Sequence, residues 1–309
     1  MKNTGKIGNK IFRSGATAAA VTILVTLAAV ATFLVVRAWP AISDPSVRIR
    51  TVGSAEELNI WQFTGPQIFG TVLAALFAMI LAVPLSIGIA LFISHYAPKH
   101  LAQPLGYMVD LLAAIPSVIY GLWGAMWLIP KLVPFYEFLS KYLGWIPLFA
   151  GPVSTTGRVL FSASLILAVM ILPIVTAVTR EVFLQTPKSH EEAALALGAT
   201  RWEVVKMAVL PFGRSGIISA AMLGLGRALG ETMAVVMVLS VGSSYSFNVL
   251  QAGKHSTIAA NIALQFPEAT GTYTSALIAT GLALFAITMI VNMIARWIIA
   301  RRAEFSGAN

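Results

Sequence analysis

Two opposite charges lie four residues apart in one of the most apolar stretches of the chain. They are Arg227 and Glu231, in Gly224-Leu-Gly-Arg-Ala-Leu-Gly-Glu-Thr-Met-Ala234. That spacing places both on one face of a helix. A charge at the centre of a bilayer costs about 2.5–3.5 kcal/mol on insertion scales, so such residues face a bundle interior or a wet cavity and are functional candidates by default. Arginine offers donors in a planar fork that suits tetrahedral oxyanions. A carboxylate beside it accepts from the O–H that phosphate keeps near neutral pH, and repels a fully deprotonated anion such as sulfate. A site that hydrogen-bonds a ligand's hydroxyl strongly rejects analogues without one. Thr232, next in the chain, completes the candidate substrate pathway. Two other readings stay open: Glu231 only orients Arg227, or the pair is a salt bridge holding helices together. A buried pair often stabilises no better than apolar residues of equal volume, so stability alone is a weak reason for it. Gly224, Gly226 and Gly230 permit close approach of a neighbouring helix or of a ligand.

Other chemistries find less support. The chain has no cysteine, which excludes disulfides, thiolate metal sites and cysteine nucleophiles. His95, His100, His190 and His255 are scattered without metal-ligand spacing. No phosphate-cradling Walker loop is present, so ATP hydrolysis is expected elsewhere. Ser215-Gly216 has no partnered histidine and aspartate at a suggestive distance. Asp110 reads as an interfacial residue, and Arg180 with Glu181 as an anchor at the inner end of a span.

The elements that must position the pair are membrane helices. Of 309 residues, 58% are hydrophobic and 11% charged, against about 25% charged in a soluble domain. Six stretches reach the roughly 20 apolar residues that a span needs: near Ala16–Val36, Ile68–Ser94, Tyr107–Ile129, Val159–Val178, Gly216–Val241 and Ser275–Ile294. The first follows Lys2, Lys6, Lys10 and Arg13, as in a signal peptide. It is longer than a signal's apolar region, and Arg37-Ala-Trp-Pro40 follows it, so a retained helix is expected. With the N-terminus in the cytoplasm, thirteen Lys and Arg flank the spans inside and seven outside. That bias has the positive-inside sign and puts both termini in the cytoplasm. The net charge of +9 is thus a matter of topology, and nucleic-acid binding is not expected. Phe135, Tyr136, Phe138, Tyr142 and Trp145, in the outer segment Pro134–Leu148, predict a short interfacial helix. Ser256–Phe266 predicts a second, and prolines 84, 116, 130 and 173 lie within or beside spans.

The longest inside loop, 186–212, runs from Thr186-Pro-Lys-Ser-His-Glu-Glu-Ala-Ala to Leu210-Pro211. Ser189 and Glu192 have capping-box spacing. Glu191–Leu197 is strongly helix-forming, and Gly198 ends helices in the usual way. A second helix is expected from about Thr200, interrupted by Pro211. A short exposed helix, a glycine break and a re-entering helix could insert into a partner's groove, or form a simple amphipathic connector.

Glu192-Ala193-Ala194, Gly198 and Leu210-Pro211 resemble the EAA loop of ABC-importer permeases, with Ala208 where that family usually has isoleucine. The resemblance implies an all-α fold of the type I importer permease, a single transmembrane permease domain over 1–309 with an N-terminal helix at 16–36 and core helices across 68–294, and a coupling loop at 186–212 that docks on an ATPase. Gly226–Ala234 and Ile115-Pro-Ser-Val-Ile-Tyr-Gly121 also resemble the permeases of the Pst phosphate system. That family implies phosphate import by alternating access in the inner or plasma membrane. It implies a second related permease (PstA-like), an ATPase dimer (PstB-like) carrying the ATP and Mg, and a phosphate-binding protein (PstS-like). It implies no cofactor on this chain. The alternatives are a permease for sulfate, molybdate or tungstate, an intramembrane enzyme with Glu231 as general base, or a scaffold or sensor subunit.

Overall fold

The computed structural model describes residues 4–44, 48–50 and 57–303. Lys2 and the extreme ends of the expected domain lie outside the described residues. Helix α1 (Thr4–Ile42) is followed by a two-residue antiparallel pair, β1 (Ile49–Arg50) and β2 (Glu57–Leu58). Then come α2 (Ile60–Leu91), α3 (Lys99–Ala113), α4 (Ser117–Trp123), α5 (Ile129–Leu143), α6 (Leu160–Leu184), α7 (Lys188–Ala196), α8 (Arg201–Val204), α9 (Leu210–Gly230), α10 (Met233–Val238), α11 (Ile258–Gln265) and α12 (Thr272–Ala303). Among the described residues, six helical segments are long and apolar enough to cross a membrane: Gly8–Ile42, Ile60–Tyr96, Ser117–Leu143, Leu160–Leu184, Arg201–Gly230 and Thr272–Ile299.

Helices α2, α6 and α9 form the centre. Ala74, Ala75, Ala78 and Ala82 of α2 are almost fully buried, and small residues let helix backbones come close. Gly224 brings α9 to within van der Waals reach of Val175 on α6. Helix α1 packs on α12 at the edge, with most of its apolar side chains uncovered by this chain.

Three sequence expectations shift. The third span is not Tyr107–Ile129, because the helix breaks at Ala114–Pro116 and restarts at Ser117; proline disfavours the α region for the residue before it. Helix α3 is instead a separate amphipathic segment on α6. The expected outer helix forms as part of α5, which starts earlier, at Ile129, but Tyr136 is a core residue and not an interfacial one, fully buried with its hydroxyl 2.7 Å from Ser162 Oγ. The fifth span begins earlier than Gly216, at Arg201, and ends at Gly230.

Pro211 does not interrupt its helix. A π-turn, Val205–Val209, joins α8 to α9, with Leu210 N–H donating to the Val205 carbonyl. The same device recurs at Phe92–Tyr96, where Ala97 donates to Phe92, and at Gly124–Leu128, where Ile129 donates to Gly124. Each donor directly precedes a proline: Pro98, Pro130 and Pro211. Proline brings no N–H, and its ring crowds the carbonyl four residues back. Widening the preceding turn by one residue relieves that crowding, in keeping with π-bulges as sites of local helix adjustment.

Candidate translocation site and docking loop

Arg227 sits near the end of α9, half-buried, on a stripe with Ser215, Ser219, Leu223 and Gly230 that this chain leaves open. A Cβ added at Gly226 or Gly230 would meet nothing within 4 Å. The Arg227 Nε is buried and has no hydrogen-bond partner among the described residues. A buried guanidinium donor without an acceptor is costly, which makes it a receptive position for an anion.

Glu231 does not share the helix face that its spacing predicts. The helix ends at Gly230, and Glu231 is extended (φ −68°, ψ 128°). Glycines at 226 and 230 weaken the helix there. Glu231, 9% exposed, turns its carboxylate forward, and Oε1 accepts the Ala234 N–H at 3.1 Å, capping α10. Thr232 donates its hydroxyl to the Gly230 carbonyl at 3.2 Å. No ion pair joins Arg227 to Glu231 among the described residues. At the other end of α10, Arg158 Nη2 donates to the Val236 carbonyl at 3.2 Å. A carboxylate at the N-terminus and a guanidinium at the C-terminus both complement the helix dipole.

Helix α10 packs on α4, where Gly121 faces the Ala234 backbone; a Cβ at 121 would lie 2.9 Å from Ala234 Cα. Tyr120, within electrostatic reach of Arg227, donates its hydroxyl to the Leu112 carbonyl at 2.8 Å across the Pro116 break. Two interrupted helices thus meet beside Arg227. Broken membrane helices are tolerated where they are buried in protein or line a cavity. Among the described residues no group of three or more His, Asp or Glu could hold a metal. An open cavity of about 590 Å³, lined by Asn248, Gln251 and Lys254 among others, does not include Arg227.

In the loop 186–212, helix α7 and the glycine turn at Gly198 form as expected. Gly198 has φ +82°, its N–H donates to the Leu195 carbonyl, and Ala199 N–H donates to the Ala194 carbonyl. That is the Schellman pattern, and it favours glycine because other L-residues resist a positive φ. The Ser189–Glu192 capping box is absent, because the helix already starts at Lys188 behind Pro187, without a side-chain cap. The box forms one helix later, between Thr200 and Glu203: Thr200 N–H donates to Glu203 Oε2 at 2.7 Å and Glu203 N–H to Thr200 Oγ1 at 3.4 Å. Glu192 and Ala193 are exposed, while Ala194 is buried against Val204 and Ala208. Leu210 and Pro211 open α9 after the π-turn. Sequence reasoning missed Leu195 and Leu197, exposed by 52% and 89% at the end of α7. Leucines uncovered within a polar helix were the signal available for them.

Residues 82–304 match the family of binding-protein-dependent transport system inner membrane components. The chain is 47% identical over 298 residues to the phosphate transport system permease protein PstC 2 of Mycobacterium tuberculosis, spanning 94% of this chain and 91% of that protein. It is 41% identical to the PstC permease of Mesorhizobium japonicum, spanning 96% and 92%. Two solved structures of a bacterial ABC transporter that imports the acidic polysaccharide alginate share the fold. The first has a TM-score of 0.59 at 17% identity, covering 96% of this chain and 99% of that one. The second, in complex with a pentasaccharide-bound periplasmic protein, has 0.61 at 18%, covering 97% and 98%.

Proposed function

The chain belongs to the binding-protein-dependent transport system inner membrane components and, among them, to the phosphate transport system permeases; on that premise we propose that it moves inorganic phosphate by alternating access past Arg227, Glu231 and Thr232. It is a multi-pass membrane transporter subunit, not an enzyme. The observation that carries the site is the partnerless, buried Nε of Arg227 on the open stripe of α9, next to the α9–α10 break. Arg227 binds the anion, the second oxygen of Glu231 accepts the phosphate O–H, and Thr232 lines the path.

The open stripe is the face on which a second related permease (PstA-like) completes the pathway. The loop 186–212 docks through Glu192, Ala193, Leu195 and Leu197 on a PstB-like ATPase dimer, which carries ATP and Mg. Ala194, Gly198, Leu210 and Pro211 give the loop its shape. A PstS-like binding protein delivers phosphate outside, and both termini of this single permease domain lie in the cytoplasm.

The test is labelled phosphate uptake in cells lacking their own high-affinity system. The full transporter is produced with wild-type chain or Arg227→Gln, with unlabelled sulfate as competitor. Hydrogen bonds to charged groups contribute about 1.5–3 kcal/mol, so Arg227→Gln should weaken uptake affinity by about tenfold or more. Full uptake by the variant removes Arg227 from the pathway. No phosphate uptake by a well-assembled wild-type complex overturns the substrate.

A further inference from the structure

The inner end of α2 is far from the docking helix in the sequence, yet the two are joined by side chains. His95 lies in the π-turn that closes α2, and its Nε2 is 3.6 Å from Glu191 Oε1 on α7. The ring is held from two other sides. Its Nδ1 is 2.7 Å from Ser94 Oγ, which donates to the Ala90 carbonyl at 2.8 Å. Its edge meets the ring of Phe183, at the end of α6, at 6.5 Å and 76°. Both members of the pair are mostly shielded, with side chains 14% and 27% exposed. The adjacent carboxylates of α7 are therefore divided: Glu192 is exposed on the docking face, and Glu191 turns inward to α2.

We propose that His95 and Glu191 are positioning residues that carry displacement of the docking helix into α2. The proposal rests on the reading of 186–212 as the docking loop. Helix α7 is tied by the chain to α6 through Gln185–Pro187 and to α8 through Gly198, and its apolar contacts, Ala194 with Val204 and Ala208, lie on the α8 side. Those ties move α6 and α9. Helix α2 packs along both of them, and its end, Ala90 and Leu91, clusters with Val205 and Val209, but apolar faces slide along an axis more readily than a held polar pair does. A held imidazole against a carboxylate transmits the push, because the ring cannot swing away from Ser94 and Phe183. Helix α2 has 32 residues, about 48 Å at 1.5 Å per residue, so a small shift at its inner end becomes a tilt of the whole span.

The measurement is phosphate transported per ATP hydrolysed by the complete transporter in proteoliposomes. Glu191→Gln and His95→Gln are each expected to lower that ratio at least threefold, with ATPase association and binding-protein-stimulated hydrolysis within twofold of wild type. The reciprocal exchange, His95→Glu with Glu191→His, should restore at least half of it, which assigns the loss to the pair, while the retained association and hydrolysis of the single variants exclude a folding defect. Unchanged ratios in the single variants, or no rescue in the exchange, overturn the link. Leu197→Asp separates the two readings. If it abolishes stimulated hydrolysis while Glu191→Gln keeps a wild-type ratio, the docking loop stands and the link falls. If it changes neither hydrolysis nor uptake, the docking reading falls and takes the link with it. Because the chain has no cysteine, His95→Cys with Glu191→Cys can also be joined by a short thiol cross-linker. Cross-linked complexes should regain the ratio lost by the free double variant, and a cross-link that blocks transport overturns a strut that persists through the cycle.

Discussion

Glu231→Gln separates the two functions that converge on one side chain. The Glu231 Oε1 accepts the Ala234 N–H and so starts α10, and the second oxygen of the same carboxylate is the proposed acceptor of the phosphate O–H. Glutamine has nearly the same shape and keeps a carbonyl oxygen for Ala234, so the cap survives in neutral form. A hydrogen bond to a charged acceptor contributes about 1.5–3 kcal/mol and a neutral one about 0.5–1.5 kcal/mol. The cap therefore weakens by about 1 kcal/mol, which a complex of this size should tolerate. Selectivity responds differently. Removing the carboxylate removes the repulsion of a fully deprotonated anion, and the amide N–H₂ can donate to an oxyanion with no O–H. Sulfate is expected to gain on phosphate by about tenfold to a hundredfold, the range of the charged hydrogen bond that is lost. The assay is labelled phosphate uptake against a sulfate series, with thermal stability of the purified complex measured in parallel. Glu231→Ala serves as the control that loses both cap and charge, and should be the less stable of the two by about 1 kcal/mol. If Glu231→Gln keeps wild-type uptake and wild-type exclusion of sulfate, the carboxylate is a helix cap only.

Gly121→Ala places a methyl 2.9 Å from the Ala234 backbone, and overpacking of this kind costs about 1–3 kcal/mol; a lowered unfolding temperature and slower uptake check it, and an unchanged transporter refutes the close α4–α10 contact. Gly198→Ala forces an alanine to φ near +82°, with a strain of about 1–2 kcal/mol; ATPase association measured by pull-down should weaken, while Ala199→Gly should not do so. His255, buried in the segment between α9 and α12, has its pKa lowered below the usual histidine value, chiefly by burial, with the Ser246 carbonyl opposing and Lys254 adding to the shift. Its unfolded form titrates near pH 6.5 and binds the proton more readily than the folded form, so its contribution to stability is full above that pH and is lost as pH falls below it. Amide hydrogen exchange across 244–256 should therefore rise on going from pH 7.5 to 5.5, after correction for intrinsic exchange, and His255→Gln should flatten the change.

Arg227 stood out as a candidate in the sequence because a guanidinium among apolar residues has few reasons to exist. Its environment was not legible, because the open stripe of α9 is visible only when α6 and α2 are seen to cover the other faces. Helical periodicity read Glu231 as one turn beyond Arg227, but spacing carries no information about the break after Gly230. The cap that Glu231 makes to Ala234 comes from backbone geometry that two glycines permit and do not by themselves announce. In the loop 186–212, Gly198 announced its turn because a positive φ selects residue type directly. Ser189 and Glu192 had the right spacing for a box, yet Thr200 and Glu203 formed it, since Pro187 already starts α7 one residue before Ser189. The third span went astray for a similar reason: hydropathy runs smoothly across Ile115-Pro116, and the chain direction does not.

The π-turn at 205–209 holds one residue more than the same length of α-helix would take up, and it lies between α7 and Arg227. An α-helix turns about 100° and advances 1.5 Å with each residue. Were this turn to tighten into α-helix with the chain intact, everything beyond it would screw forward by that one step. Arg227 would leave the open stripe and point into a neighbouring helix. Conversely, deletion of a single residue within 205–209 should leave the two flanking faces in phase. The proline that follows the wide turn therefore also sets the rotational phase between the loop proposed to meet the ATPase and the side chain proposed to meet the anion.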